Sequence, residues 1–422
     1  MELTRTDKEM RDGKFGRLSA EAMDFLIKFG EAYDARNMID LDYAYVYLAD
    51  INIWRKNSNS HDLLEEVKKE KVKCRIPTTS WIVGTEIDRG LYVQNCYPQE
   101  SIDQIDKETE ICRELGIICI NTCTPYLVGD MATPALGSHI ASIESSAVTY
   151  FNSIQGTRCN RDGISAFFAS LTGRYPNFGM HLDENRKGKY LFDIKAELND
   201  SADYSALGYY IGKVSGLDVP VLKGLGRPSV EEAQKLCSAM AVGGAVSLAH
   251  IIGVTPEAPN EEAAFHGDRP VEIFKVTNKE IETVYDEFHS SVDDIHFVCL
   301  GCPHASIHDL KKYAELYDGR RVADNVTVWV MTAPQNIFLA ESCGFSRILK
   351  NAGVTLLSTC PMVNPGTPGP IHTFTNREYS VGNFATNSMK LVYYARNCMR
   401  PGKTFLGRAE KCVESSISGK WL

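Results

Sequence analysis

The feature that most constrains this chain is an alternation of two kinds of segment through its second half. "VEIFKV" (271–276) is followed by "NKEIETVYDEFHSS", "DIHFVCL" (294–300) by "IHDLKKYAELYDG", and "VTVWVMT" (326–332) by a segment running to Gly353. "VTLLST" (354–359) then returns to an apolar run. Short runs rich in valine, isoleucine and aromatics read as buried strands, and the segments between them have helical period. Strands joined through helices pair in parallel, because a parallel pair needs a long crossover. Start signals agree. Ser229 with Glu232, Thr277 with Glu280 and Ser306 with Asp309 have the spacing of capping boxes, and Pro334 suits a first helical turn. The first half repeats the pattern more loosely. It offers a helix from Ser19 to about Ala35, a strand in "MIDLDYAYVYLA" (38–49), a helix over 101–116 closed by Gly116, a strand "IICIN" (117–121) and a helical period over 138–156. The expected class is α/β, a multi-domain body of largely parallel sheets flanked by helices.

A chain of 422 residues has room for two or three domains. The proline-rich, acidic stretch "GVTPEAPNEEAAFHGDRP" (253–270) reads as one boundary, and the region after "CYPQE" as a second. The division expected is 1–100, 101–262 and 263–422. The most apolar stretch, "CSAMAVGGAVSLAHIIGV" (237–254), carries Ser238, Gly243, Gly244, Ser247 and His250, and reads as a buried helix running into a strand rather than a membrane span. The charged N-terminal stretch lacks the apolar centre of a signal peptide, so the expected compartment is the cytoplasm. With 45 basic against 54 acidic residues the net charge is −9, which argues against broad nucleic-acid binding. In a reducing compartment the 13 cysteines are not a disulfide framework, and most read as small buried apolar residues.

Three of them stand out. Cys123 follows the strand 117–121, Cys302 follows 294–300, and Cys360 follows 354–359, each with a proline within two residues. Ligands of open α/β sheets bind past the carboxyl ends of the strands. Facing domains would therefore bring these loops to one place, where thiolates could hold an iron–sulfur cluster. Packing is the competing reading at each position, and the spacing matches neither a ferredoxin run nor a paired zinc ribbon. Cys299 forms a C-x-x-C with Cys302 but falls inside a buried strand, and is read as packing. Around the cysteines lies an unusually polar set: His139, Glu144, Ser145, Ser146, Asn152, Arg158, Asn160, Arg161, His181, Glu184, Asn185, Arg186 and His304. "GTRCNRDG" (156–163) reads as a glycine-bounded loop whose arginines suit fork-like recognition of a carboxylate or phosphate. The competing reading is an ordinary solvated loop. His181 and His304, taken alone, read as structural histidines.

In order along the chain, "CTPYLVGD", "SHIASIESSAVTYFNSIQGTRCNRDG", "LTGRYPNFGMHLDENR", "GCPH", "STCPM" and "TNSMK" resemble the aconitase X family in its separate large-subunit form. The resemblance implies a hydro-lyase that removes water from a small 3-hydroxy carboxylate such as mevalonate 5-phosphate or cis-3-hydroxy-L-proline. It implies an iron–sulfur cluster, 4Fe–4S favoured over 2Fe–2S, on Cys123, Cys302 and Cys360. It implies catalytic roles for His139, Glu144 and His304, and substrate binding by Ser145, Ser146, Asn152, Arg158, Asn160 and Arg161. It also implies a swivelling domain carrying the catalytic base, for which no segment is found here; the expected partner is a separate small subunit. Ser142, Cys159, Asp162 and Ile164 depart from the residues expected beside the pocket, and bear on the substrate rather than the reaction class. Two other readings compete. Cys302 could be a nucleophile paired with His304 or His139, which leaves Cys123 and Cys360 unexplained. The chain could also be a non-enzymatic iron–sulfur sensor.

Overall fold

The computed structural model describes residues 1–48, 63–91, 99–128, 134–288, 293–360, 382–398 and 401–421. Their architecture is three parallel sheets in sequence. The first contains β1 (Tyr43–Val46), β2 (Thr78–Ser80), β3 (Ile118–Cys119), β4 (His139–Ser142) and β5 (Arg158–Arg161), in the order β3-β2-β1-β4-β5. The second contains β6 (Tyr190–Ile194), β7 (Pro220–Lys223), β8 (His250–Ile251) and β9 (Glu272–Val276), in the order β8-β7-β6-β9. The third contains β10 (Phe297–Ala305), β11 (Thr327–Thr332), β12 (Thr355–Leu357), β13 (Phe384–Thr386) and β14 (Thr404–Leu406), in the order β12-β11-β10-β13-β14. The expected α/β class with parallel sheets is therefore the one observed.

The two five-stranded sheets share one topology. Each grows from its first strand in one direction, then returns to add its fourth and fifth strands on the other side. The crevice between first and fourth strands is a switch point, where ligands of such sheets bind. In the first sheet it lies between β1 and β4, and in the third between β10 and β13. All four residues of β1 and all nine of β10 are buried, as strands covered on both faces must be.

The helices that frame the crevices are α1 (Ser145–Ile154), α2 (Val230–Gly244) and α3 (Met389–Cys398). The capping boxes at Ser229, Thr277 and Ser306 all form, and Pro334 opens the helix Pro334–Ser342. α2 packs against the helix Ser201–Ser215 so closely that a Cβ on Gly208 would lie 2.4 Å from the Leu236 carbonyl oxygen. Only glycine admits that approach. Tyr43, Phe192 and Phe297, one from each sheet, join Cys123, Cys302 and Cys360 in a single buried cluster.

Several segments differ from the sequence reading. Residues 138–156 are not one helix: His139–Ser142 is β4, and the helix starts at Ser145. A short apolar run covered on both faces satisfies a helical period as well as a strand, and burial decides. "GTRCNRDG" is not a loop, because Arg158–Arg161 is β5. The run 38–49 divides into Met38–Asp40, antiparallel to Arg174–Pro176, and β1. The helix after Pro334 breaks at Gly344 in a left-handed conformation and restarts at Phe345. A division at residue 100 would part β1 and β2 from the strands they pair with, and one at 262 would part β9 from β6. The proline-rich stretch 253–270 is a connection within the second sheet, and residues 92–98 lie outside the described ones. Among the described residues no helix is long and apolar enough to cross a membrane.

Candidate active site

The switch points of the first and third sheets meet. Tyr47 is one residue past β1 and Glu144 two past β4, while Lys390 lies four past β13, in the first turn of α3. Glu144 is the N-cap of α1. Its carboxylate accepts hydrogen bonds from the Ser146 amide at 3.3 Å, the Ser146 hydroxyl at 2.5 Å and the Tyr47 hydroxyl at 2.6 Å. Lys390 Nζ donates to the same carboxylate at 2.5 Å and to Ser146 Oγ at 2.7 Å. Both charged residues are buried, an arrangement that is costly unless each charge is paired and hydrogen-bonded. Burial alone would raise the Glu144 carboxyl. The Lys390 charge, with the hydrogen bonds from Lys390, Ser146 and Tyr47, overrides that and brings it down to about 2. Glu144 is thus an ionised carboxylate fixed at a junction of two sheets.

Two of the three cysteines take equivalent positions in their sheets. Cys123 follows β3 and Cys360 follows β12, the third strand of each sheet in chain order, and both are buried. Cys302 lies within β10, where the register against β11 breaks between Leu300 and Ala305. Gly301 enters this bulge at φ 85°, and a Cβ there would meet the Met331 carbonyl oxygen at 2.0 Å. The bulge turns the backbone amide of His304 onto Cys123 Sγ at 3.3 Å, joining two of the three cysteine loops directly. Lys235 donates to the Cys302 carbonyl and Gln234 to the His304 carbonyl, each at 2.9 Å, so α2 braces the same bulge. Burial pushes the Cys123 thiol up to about 12 and also raises Cys302, with Lys390 opposing both shifts. Cys299 is a packed core residue inside β10. Of the three prolines, Pro361 lies outside the described residues.

His304 sits among these groups. Its Nδ1 is 2.9 Å from Thr122 Oγ1, and its ring meets that of Trp81 edge-on at 5.3 Å. Burial, followed by the Lys390 charge, lowers its imidazole to about 3, so the ring is neutral. The ring also lies within hydrogen-bond reach of the Thr359 backbone, and the Trp81 indole nitrogen is buried with no hydrogen-bond partner among the described residues. No thiol–imidazole pair forms between Cys302 and His304, and the nucleophile reading loses its base. Arg161, at the carboxyl end of β5, is exposed at the rim and within electrostatic reach of Glu144, Tyr393 and Tyr394. Ser145 is half-buried at the first position of α1.

The remaining polar residues are placed elsewhere. His139 opens β4 and Arg158 opens β5, at the opposite end of these strands from Glu144 and Arg161. His139 Nδ1 is 2.9 Å from His181 Nδ1, while Arg158 donates to the His181 carbonyl at 3.1 Å and pairs with Asp183. Arg186 is wholly buried, paired with Glu257 at 2.5 Å. Asn160 Nδ2 donates to the Phe178 carbonyl and its Oδ1 accepts from the Met180 amide. Asn152 donates to the Cys159 and Ser247 carbonyls at 2.8 and 2.9 Å. These are struts within the first domain, or from it to the second through Ser247 and Glu257, and do not converge on the thiols. Glu184 and Asn185 line a separate surface cavity with Lys187 and Lys189. Cys159 is a core residue and Asp162 is half-buried beside it; the Asp162 carboxyl accepts from Ser142 N, Ser165 Oγ and the Tyr175 hydroxyl.

Two site residues escaped sequence reasoning, Lys390 and Tyr47. A signal for Lys390 existed: it is the lone charge in "FATNSMKLVYY" (384–394). Tyr47 is one of three tyrosines, with Tyr43 and Tyr45, in "YAYVY" (43–47), and nothing local sets it apart. Among the described residues no three His, Cys, Asp or Glu side chains are grouped to bind a single metal ion. The soft thiols of Cys123, Cys302 and Cys360, which belong to one buried cluster, are instead of the donor type that holds an iron–sulfur cluster, and that donor set fits the group.

Comparison with known proteins bears on the same region. The family models for the aconitase X first, second and third domains match residues 1–184, 188–286 and 295–418. The chain is 33% identical to the phosphomevalonate dehydratase large subunit of Methanothermobacter thermautotrophicus, over 86% of this chain and 88% of that one. It is 28% identical to the cis-3-hydroxy-L-proline dehydratase of Hypocrea jecorina, over 99% of this chain and 69% of that one. It superposes on the crystal structure of Thermococcus kodakaraensis aconitase X (holo-form) with a TM-score of 0.80 and 30% identity, covering 99% and 100% of the two chains.

Proposed function

The chain belongs to the aconitase X family of hydro-lyases, and from that premise we propose that it eliminates water from a small 3-hydroxy carboxylate as the large subunit of a two-chain enzyme. Mevalonate 5-phosphate is the first candidate substrate and cis-3-hydroxy-L-proline the second. The names and lengths of the relatives support that order: the chain spans 88% of a relative named as a large subunit and 69% of the hydroxyproline enzyme. The proposed compartment is the cytoplasm, which keeps the thiols reduced.

The observation that carries the reading is the convergence of Cys123, the Cys302 bulge and the Lys390–Glu144 pair at facing switch points. Cys123, Cys302 and Cys360 would hold the cluster, a 4Fe–4S type leaving one metal position open to substrate. When bound it supplies a Lewis acid for the departing hydroxyl. The chain's own residues do the rest. Lys390 keeps Glu144 ionised and, with Tyr47 and Ser146, keeps it in one orientation. Arg161 offers a fork to the anionic end of the substrate at the rim. His304, neutral and anchored by Thr122, lies beside the thiols. His139, Arg158, Asn152 and Asn160 act by holding strands β4 and β5 in place.

Anaerobic purification with the small subunit, iron and sulfide analysis, and a screen of 3-hydroxy acids for loss of water test the proposal. Cys→Ala changes at 123, 302 and 360 should each deplete iron. Changes at Cys343, which is exposed, and Cys412, which is in a separate core cluster, should not. Iron retained after Cys360→Ala, or lost after Cys412→Ala, sinks the ligand assignment.

A further inference from the structure

Beyond β2 the chain makes a short segment, 84–88, that touches the third sheet at the residues just before Cys360. Glu86 in this segment is 3% exposed. Its Oε2 accepts from the Ser358 amide at 2.9 Å and from the Ser358 hydroxyl at 2.8 Å. The Ile87 amide donates back to Ser358 Oγ at 2.9 Å, and the Gly84 amide donates to Thr359 Oγ1 at 2.8 Å. Ser358 and Thr359 are themselves fully buried. With the bond from the Ser358 hydroxyl to the Thr85 carbonyl at 3.4 Å, five hydrogen bonds join the first domain to two consecutive residues of the third, next to Cys360.

Packing does not do this work on its outer side. Next to the clasp the two segments stand apart around a cavity of about 390 Å³, lined by Glu86, Asp88, Leu91, Lys350 and Ser358. Across that gap the hydrogen bonds set the spacing. A carboxyl group suits the role, because one oxygen can take an amide and a hydroxyl together. Removing it would take away the acceptor of the buried Ser358 amide.

We propose that Glu86 is a positioning residue that clamps the Cys360 loop of the third sheet onto the first domain and so holds the third thiol in place relative to Cys123 and Cys302. The inference rests on the cluster reading above. The clamp reaches the Cys360 loop through Ser358.

The test uses the full chain, purified anaerobically with its cluster, as the parent and as Glu86→Ala, Glu86→Gln and Ser358→Ala. Two quantities are read: the rate at which a ferrous chelator removes iron, and hydrogen exchange over 355–360 against 297–305. Glu86→Ala and Ser358→Ala should lose iron about tenfold faster, the scale of one buried hydrogen bond lost. Exchange should rise over 355–360 while 297–305 stays at the parent level. Glu86→Gln, whose carbonyl still accepts from Ser358, should fall nearer the parent. Parental iron loss and exchange in both alanine variants overturn the clamp. So does an exchange increase spread evenly over all three sheets, which marks a merely structural carboxylate. If Cys360→Ala keeps its iron, the cluster reading fails and the proposal with it; if Cys360→Ala loses iron while both alanine variants behave as the parent, the clamp alone fails.

Discussion

At the scale of single residues two carboxyls, Glu144 in the site and Asp162 outside it, are shifted in opposite directions. Glu144 is held at about 2, below the ordinary 4.5, so its contribution to stability is complete above pH 4.5 and is lost as pH falls toward 2. Glu144→Gln should flatten that acid limb, read as the denaturant midpoint against pH. Asp162 has the opposite sign. Burial raises it from 3.8 to about 7 against its three hydrogen bonds, so the folded state keeps the proton longer and stability falls as pH rises through that window. Asp162→Asn should abolish the decline; an unchanged slope would mean that the carboxyl is ionised when folded. Arg161→Lys keeps the charge at the rim but loses the fork. It should lower kcat/KM about tenfold, equal to about 1.4 kcal/mol of transition-state binding. Parental kinetics would remove Arg161 from the site. Glu144 and Arg161 were legible in the sequence because they stand in polar clusters. Lys390 was not, because its role is defined by a partner 246 positions away.

At the scale of elements, local rules carried the helices. The caps at Ser229, Thr277 and Ser306 are bonds between residues three apart, so spacing alone reveals them. Strands were harder, since β4 and α1 share one apolar pattern and the distinction lies in what covers them. The bulge in β10 was invisible as a bulge, although the glycine that permits it was in view. Gly301→Ala would push a Cβ to 2.0 Å from a backbone oxygen at a positive φ, with no flexible side chain to give way. Gly319 has a similar φ of 69° with nothing within 4 Å. Gly319→Ala should cost about 1–2 kcal/mol, the left-handed penalty alone. Gly301→Ala should cost well beyond that by chemical denaturation, or prevent recovery of folded chain. Equal costs would show that the β10–β11 register can slide to absorb the methyl group.

At the scale of the molecule, the first and third sheets face each other through matching switch points, and the second sheet braces them through α2. The ionised Glu144 is engaged by Lys390, Ser146 and Tyr47, and His304 is neutral, so the described residues present no free strong base beside the thiols. A docking small subunit that supplies the base and excludes water would complete the set. The large chain alone should therefore bind iron but show no dehydration, with turnover restored on adding the small subunit. Full turnover from the large chain at stoichiometric purity would place the base within it.

The alternation of strands and helices, the caps and the three cysteine exits could be read from the chain, because each depends on neighbours a few residues apart. That Cys123 and the Cys302 bulge share a hydrogen bond, and that Arg158 and Arg161 point to opposite ends of one strand, could not. A strand advances about 3.3 Å per residue, so residues three apart in a strand part company by about 10 Å, while loops nearly 180 residues apart touch. Proximity in sequence and proximity at a parallel sheet's carboxyl edge are different quantities, and only the packed sheets convert one into the other.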